Sequence, residues 1–136
     1  MTYKLGRLLD HVHLRVADLD ASRRFYQAAV GALGLELEVA ADGHFYLDEL
    51  YVSADGAPTG NLHLAFQAAD RAAVARFHDA AIAAGGTDNG APGLREYAPD
   101  YYAAFVLDPD GNNIEAVVHE TETRSTADIT VETPKT

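Results

Sequence analysis

The chain repeats part of itself, and this repeat limits the fold more than any other feature of the sequence. Residues 11–34 align with residues 63–86 at an offset of 52 positions, without a gap. Several matches are alanines, which count for little in an alanine-rich chain. We interpret the alignment as an internal duplication, so the fold should contain two copies of one unit. The more informative matches are His11 with His63, Asp18 with Asp70, Arg24 with Arg76, Phe25 with Phe77 and Gly34 with Gly86.

Each copy opens with a strand that leads into a helix. In residues 12–16 apolar side chains alternate with polar ones, and this period of two indicates a strand with one apolar face. Apolar residues recur at helical spacing over residues 25–33, where Asp18 or Asp20 would cap the helix and a glycine would end it. The same order returns over residues 62–86.

The rest of each copy supplies further strands. They are predicted at residues 35–39, 44–47 and 49–53 in the first copy, and at residues 101–107 and 113–118 in the second. The last two strands are joined by Asp108-Pro109-Asp110-Gly111, a segment with the composition of a tight turn. Residues 87–100 contain two glycines and two prolines and are predicted to form a long loop.

These elements predict an α+β fold in which two βαβββ modules form a curved mixed sheet. The modules would span about residues 8–56 and 61–119 of a single domain. Residues 120–136 are rich in threonine and charged residues and show no periodicity. We expect them to form a flexible tail, or an arm that clasps a partner.

The composition excludes several classes of function. The chain has no cysteine, which rules out disulfides, thiolate metal sites and a cysteine nucleophile. It has no apolar run long enough to cross a bilayer and no signal-peptide pattern, so we expect a cytoplasmic protein without a membrane partner. A net charge of −11 disfavours nucleic acid and attracts cations, although the simpler interpretation is that it keeps the protein soluble.

Two histidines and one glutamate form the strongest candidate for a chemical site. His11 and His63 lie at matching positions on the polar faces of the two first strands, and Glu115 lies on the polar face of the last strand. If the first strands are neighbours in one sheet, these side chains can share a divalent metal such as Fe, Mn, Zn, Ni or Co. A single strand histidine is more often hydrogen-bonded than a ligand, but the repeated pair together with Glu115 favours the metal site. His13 shares a face with His11 and could replace it.

Further polar residues are candidates for catalysis and substrate binding. Glu115, or Glu49 if it reaches the site, could exchange a proton as a general base. Glu49 and Tyr51 share a predicted strand face, and either could be a fourth ligand, a pocket residue or an exposed edge-strand residue. Arg15 could bind an anion or face solvent, and the tyrosines of the second copy could line a pocket or pack the loop against the sheet. The candidate substrate-binding residues are His13, Arg15, Tyr51, Arg95, Tyr101 and Tyr102.

Two stretches resemble the glyoxalase/bleomycin-resistance/dioxygenase proteins, also called the vicinal oxygen chelate superfamily. In the first stretch, DHVHLRVADLDASRRFYQAAVGALGLEL, a strand of the form H-x-x-L-R-V leads to a helix with Phe-Tyr and then Leu-Gly. In the second and more specific stretch, GAPGLREYAPDYYAAFVLDPDGNNIEAV, a Tyr-Tyr-Ala-Ala-Phe strand precedes D-P-D-G-N-x-I-E. The resemblance covers roughly residues 8–119.

The resemblance implies paired βαβββ modules, assembly as a homodimer, and a metal in the cup between modules. By position it implies that His11, His63 and Glu115 are metal ligands and that Arg15 contacts substrate. It also implies a fourth ligand in the last strand of the first module, a place that Glu49 or Tyr51 would fill.

Three functions follow from this combination of features. The first is a metal-dependent lyase, isomerase or dioxygenase, in which the metal is a Lewis acid for a small substrate with vicinal oxygens. The second is a protein that sequesters a cationic drug or metabolite, as the bleomycin-binding members do; the acidity fits this function, whereas the histidine and glutamate set does not. The third, a structural or regulatory dimer, has no positive feature beyond the expected dimer. The fold alone does not choose among them.

Overall fold

Within residues 2–5, 8–122 and 129–132, which the computed structural model describes, the chain forms ten strands and two helices. The first module contains β2 (Val12–Arg15), α1 (Leu19–Ala32), β3 (Glu38–Val39), β4 (Phe45–Leu47) and β5 (Leu50–Ser53). The second contains β6 (His63–Gln67), α2 (Arg71–Ala83), β7 (Thr87–Arg95), β8 (Tyr101–Leu107) and β9 (Asn113–His119). Two short strands, β1 (Thr2–Leu5) and β10 (Ile129–Glu132), lie outside the modules.

Each module has its own four-stranded mixed sheet, and the two sheets have the same topology. Their strand orders are β2-β5-β4-β3 and β6-β9-β8-β7. In both modules the first strand pairs in parallel with the last strand, and the remaining pairs are antiparallel. These findings confirm the predicted α+β fold of two βαβββ modules, with one sheet in each module.

The helices begin at aspartates that the sequence marks as caps. The side chain of Asp18 accepts a hydrogen bond at 3.1 Å from the backbone N–H three residues further along, and Asp70 accepts the equivalent bond at 2.8 Å. An aspartate at this position satisfies an N–H that has no partner within the helix. Each helix buries an apolar face, centred on Phe25 in α1 and on Phe77 in α2, and the two helices pack against each other.

One continuous hydrophobic core lies between the helices and both sheets. It contains fully buried residues of each sheet, such as Leu14 and Ile114. The phenol of Tyr26 in α1 donates a hydrogen bond at 2.6 Å to the carboxylate of Asp108, in the turn between β8 and β9, and so joins the modules. The opposite face of each sheet carries polar side chains, and in the second sheet it also carries a small apolar cluster on β8 and β9. Neither helix in the described part of the chain is long and apolar enough to cross a membrane.

The predicted loop at residues 87–100 is wrong for residues 87–95, which form β7. This strand pairs with β8, and its register shifts at Gly90 and again before Gly93. Glycine and proline are depleted in regular strands, so their presence led to the prediction of a loop. The strand accommodates these residues because it is irregular at these points. The connection that remains between β7 and β8 is only residues 96–100.

The strands β1 and β10 form a separate two-stranded antiparallel sheet. The sequence did not predict either strand. The expectation that residues 120–136 form a flexible or clasping tail stays a prediction, and residues 123–128 and 133–136 lie outside the described residues.

Candidate functional site

A glutamate and a histidine meet on the face of the second sheet opposite the core. β6 pairs in parallel with β9, and the register places Glu115 beside Ala65, two residues after His63. The Nε2 atom of His63 and the Oε1 atom of Glu115 are 2.7 Å apart. Because Ile114 and Ala116 are buried in the core, the alternation of the strand turns Glu115 to the opposite face, as the sequence predicts.

The Glu115 carboxylate is almost completely buried, although it lies on this polar face. Its side chain is 1% exposed, whereas that of His63 is 54% exposed. The Tyr101 phenol donates a hydrogen bond to Oε2 of Glu115, so both carboxylate oxygens have a partner. A buried carboxylate is costly unless it is hydrogen-bonded or lies beside a cation. Burial, reinforced by the hydrogen bond to Glu115, raises the pKa of Tyr101, which therefore keeps its proton and remains a donor.

His63 and Glu115 are residue types that bind divalent metals, but no third ligand from the described part of the chain joins them. Among the described residues, no group of three or more histidine, aspartate or glutamate side chains could hold a metal ion. His11 precedes β2 and is exposed, and its Nδ1 atom lies 2.7 Å from Oδ1 of Asp10. β2 and β6 belong to different sheets, so the condition for convergence of the two imidazoles is not met. Two of the three predicted ligands therefore meet, and His11 does not join them.

The register of the first sheet identifies the counterpart of Glu115. At the offset of 52, His13 corresponds to Ala65, and His13 pairs with Tyr51 as Ala65 pairs with Glu115. Tyr51 therefore takes the place of Glu115 in the first module. Glu49 lies in the turn before β5, outside the strand in which it was predicted, because β5 begins at the next residue.

The same face of the first sheet carries a hydrogen-bonded chain of polar side chains. His13 Nε2 lies 2.7 Å from Ser53 Oγ, and the Ser53 hydroxyl donates to Asp55 at 2.6 Å. Arg15 Nε donates to the same aspartate oxygen at 3.2 Å. The hydrogen bond from Ser53, together with the charge of Arg15, lowers the pKa of Asp55. The predicted substrate-binding residues His13 and Arg15 thus already have partners, Ser53 and Asp55, which were not among the predicted site residues.

Arg95 lies on the same face of the second sheet as Glu115. Its guanidinium carbon is 5.3 Å from the centre of the Phe105 ring, and Phe105 pairs with Glu115 across β8 and β9. The centre of the Phe105 ring is 6.0 Å from that of the His63 ring. Phe105 therefore lies between Arg95 and the His63–Glu115 pair. It is not among the predicted residues, although alternation along β8 puts it on the same face as Tyr101.

Tyr102 lies on the other side of the second sheet. Adjacent residues of a strand point to opposite faces, so Tyr102 faces away from Tyr101 and Glu115. It packs against the core, and the guanidinium carbon of Arg71 in α2 lies 4.5 Å from its ring centre. In contrast to the prediction, the structure does not bring Tyr102 to the site.

The face that carries His63 and Glu115 is exposed along β6, whereas the middle of β8 and β9 is buried on this side. A cavity of about 320 Å³ lies further along the same strands and is lined by residues that include Gln67, Val117 and His119, but neither His63 nor Glu115. Around the pair itself, the outward side chains of β6 are exposed. The β6 side of this face is therefore accessible to a substrate or to a second protein chain.

Comparison with protein families gives a match over most of the chain. The model of the family described as "Glyoxalase/Bleomycin resistance protein/Dioxygenase superfamily" matches residues 8–116. The match spans both modules and contains His11, His63 and Glu115. No curated protein matches the sequence.

Solved structures share the arrangement of the two modules. A glyoxalase/bleomycin resistance protein from Albidiferax ferrireducens T118 is 33% identical with a TM-score of 0.70, over 82% of this chain and 98% of that chain. A glyoxalase-related enzyme from Fulvimarina pelagi is 19% identical with a TM-score of 0.67, over 94% and 99% of the two chains. A glyoxalase/bleomycin resistance protein/dioxygenase family enzyme from Burkholderia phytofirmans PsJN is 20% identical with a TM-score of 0.60, over 79% and 95%. The last two are similar in fold alone.

Proposed function

The chain belongs to the glyoxalase/bleomycin resistance protein/dioxygenase superfamily, and from this membership we propose that it is a metal-dependent enzyme acting on a small substrate with vicinal oxygens. The observation that carries the proposal is the 2.7 Å contact between His63 and the buried carboxylate of Glu115. A buried carboxylate beside an accessible imidazole is a partial ligand set, which a divalent cation would neutralise.

His63 and Glu115 are the ligands that this chain would offer to the ion. A divalent metal held there would supply Lewis acidity to the substrate oxygens. Fe, Mn, Zn, Ni and Co all accept imidazole and carboxylate ligands, so the residue types do not select one of them.

We assign the third ligand position to His11 of a second copy of the chain, in a homodimer. His11 is exposed, and its contact with Asp10 occupies Nδ1, which leaves Nε2 without a partner among the described residues. A carboxylate on one ring nitrogen holds the proton there and leaves the lone pair of the other nitrogen for a metal. The face that carries His63 is exposed along β6, so the first module of the second copy could cover it there and bring His11 to Glu115.

The other predicted residues have distinct roles in this arrangement. By donating to Oε2 of Glu115, Tyr101 orients the carboxylate so that Oε1 is directed to His63. Glu115 is the group favoured to exchange a proton with the substrate, because Glu49 lies in a turn of the first module. Glu49 could take this role only from the second copy. His13, Arg15 and Tyr51 would face the substrate from that copy.

Sequestration of a cationic molecule without chemistry is the second candidate function. It is favoured by the net charge of −11 and by the lack of a third ligand among the described residues of a single chain. Capture of a cation would require only the acidic surface and an open face.

Metal analysis of protein purified without added metal separates the two functions. We expect a stoichiometric divalent ion that is lost in His63→Ala. The matched control is His78→Ala, because His78 pairs with Asp88 at 2.9 Å away from the site, and this variant should retain the metal. Metal-free wild-type protein that binds a basic glycopeptide would contradict the enzyme and support sequestration. Substrates of glyoxalase, epimerase and catechol dioxygenase reactions then test the class of reaction.

A further inference from the structure

Arg95 lies in a space that two glycines of β7 leave open. A Cβ atom added at Gly93 would come within 2.9 Å of Nη1 of Arg95. One added at Gly90 would come within 2.9 Å of the Phe105 ring and 3.3 Å of Nη2 of Arg95. The register shifts of β7 involve the same two glycines. Bulges of this kind redirect side chains and are frequent beside functional sites, and here they let the guanidinium lie over Phe105.

The charge of Arg95 has no carboxylate partner among the described residues. Its Nη2 donates to the carbonyl of Ala91 at 2.6 Å, and its Nη1 donates to the carbonyl of Leu94 at 3.4 Å. A guanidinium has five N–H donors, so three of them remain available. By contrast Arg15, on the face of the other sheet, is paired with Asp55. Arg95 is therefore held by neutral groups and keeps its charge for a ligand.

We propose that Arg95 binds a carboxylate group of the substrate, a role that rests on the proposed function of the His63–Glu115 site. A planar guanidinium matches the two oxygens of a carboxylate and can bind both. A singly charged carboxylate is favoured over a doubly charged phosphate, because the net charge of −11 opposes a dianion more strongly.

Phe105 indicates the chemical character of the part of the substrate that lies between its carboxylate and its vicinal oxygens. Its ring centre is 5.3 Å from the guanidinium carbon of Arg95 and 6.0 Å from the ring centre of His63, and β8 lies between β7 and β9, so a ligand that joins the two groups runs past this largely buried ring. Ala103 and Val117 are buried in one cluster with Phe105, so the surroundings of this ring are apolar. The substrate is therefore an acid with an apolar or aromatic middle, whose carboxylate binds Arg95 and whose vicinal oxygens reach His63 and Glu115.

Two matched probes test this role without dependence on the metal. The compounds 3-phenylpropanoate and 3-phenylpropanamide have nearly the same shape and differ in charge. Binding to EDTA-treated protein is followed by the NMR signals of the Phe105 and His63 rings. Wild-type protein should bind the acid about tenfold more tightly than the amide, since hydrogen bonds to charged groups are the stronger ones. Arg95→Gln should remove this preference, and Arg95→Lys, which keeps the charge without the planar fork, should retain part of it.

Arg23→Gln is the matched control, because it removes the same charge from α1, where Arg23 lies 3.6 Å from Asp20. This variant should keep the full preference for the acid. Equal binding of the acid and the amide by wild-type protein, no binding of either compound, or the same loss in Arg23→Gln would overturn the role of Arg95. If Arg95→Gln does not fold, the role of Arg95 would be overturned by an Arg95→Lys variant that keeps the full preference for the acid over the amide. Metal content, measured before EDTA treatment, reports separately on His63 and Glu115, so failure of one proposal is distinguishable from failure of the other.

Discussion

Tyr51 occupies in the first module the position that Glu115 occupies in the second. Tyr51 pairs with His13, and Glu115 pairs with Ala65, the residue that corresponds to His13 in the repeat. One sheet thus presents a phenol where the other presents a carboxylate. At this strand position the duplicated unit therefore carries a carboxylate only in the second module, and the two modules have different roles in the proposed site.

Replacement of Tyr51 by phenylalanine should leave the metal content unchanged, because a carboxylate is absent from this position. The lost group is a hydroxyl that lies 3.0 Å from Nδ1 of His44, so the free energy of unfolding should fall by about 1 kcal/mol. Metal analysis and urea unfolding measure the two effects, with Glu115→Gln as the variant that should lose the metal. Loss of metal in Tyr51→Phe would instead identify Tyr51 as a fourth ligand.

Tyr101→Phe should weaken metal binding by about tenfold or more, because groups that orient a ligand commonly contribute this much to affinity. The substitution removes the hydrogen bond to Oε2 of the buried Glu115 carboxylate. Metal affinity can be measured by competition with a chelator. Tyr102→Phe is the matched control, since the neighbouring ring packs on the opposite face of β8 and should leave the affinity unchanged. Equal affinities in both variants would show that Tyr101 does not position the carboxylate.

Tyr26→Phe should change how stability depends on alkaline pH. Burial, reinforced by the charge and the hydrogen bond of Asp108, raises the pKa of Tyr26 well above its ordinary value of 10.0. The fold thus favours the protonated phenol. Its contribution to the free energy of unfolding is complete below the ordinary tyrosine pKa and is lost as the pH rises from there towards the folded pKa. The variant should be less stable at neutral pH by about 1–3 kcal/mol, because the buried Asp108 carboxylate loses one of its hydrogen-bond donors. It should also lose less stability than wild type above the ordinary tyrosine pKa.

Urea unfolding from neutral to strongly alkaline pH measures both effects of Tyr26→Phe. If wild type and variant lose stability equally steeply as the pH rises, ionisation of Tyr26 is not coupled to folding.

Gly86→Ala and Gly31→Ala should have opposite effects on stability. An added Cβ at Gly86 would come within 2.5 Å of Val106 and 2.8 Å of the Ala81 carbonyl, so crowding should cost about 1–3 kcal/mol. Gly31 lies within α1 with open space around it, and alanine there should stabilise the helix by up to about 1 kcal/mol. Thermal unfolding midpoints compare the two variants. A midpoint that rises in both would show that β7 and α2 pack less closely than described.

Local sequence patterns predicted the structural features that depend only on residues close together in the chain. Alternation along the last strand predicted that Glu115 points away from the core, since this follows from the period of the strand alone. The cap of α1 was predicted at Asp18 or Asp20 for the same reason, and Asp18 forms it with a partner three residues away. For β7 the local pattern gave a wrong prediction, because the glycines at its register shifts are typical of a loop.

Contacts between distant parts of the chain could not be predicted in this way. The bond from Tyr26 to Asp108 joins residues that are 82 positions apart, and neither residue shows the contact in its own pattern. The convergence of His11 with His63 was predicted on the condition that their strands share a sheet. That condition concerns the placement of whole modules, and the repeat itself does not determine it.

Metal binding by mixed dimers tests most directly whether His63 and Glu115 of one chain bind a metal together with His11 of another. His11→Ala and His63→Ala should each lose the metal as homodimers. In a freely exchanged equimolar mixture half of the dimers contain one chain of each kind, and each of these has one intact site. We therefore predict that mixing restores metal to about a quarter of the sites. Full metal content in His11→Ala alone, or no metal recovered on mixing two folded variants that exchange subunits, would contradict a site shared between two chains.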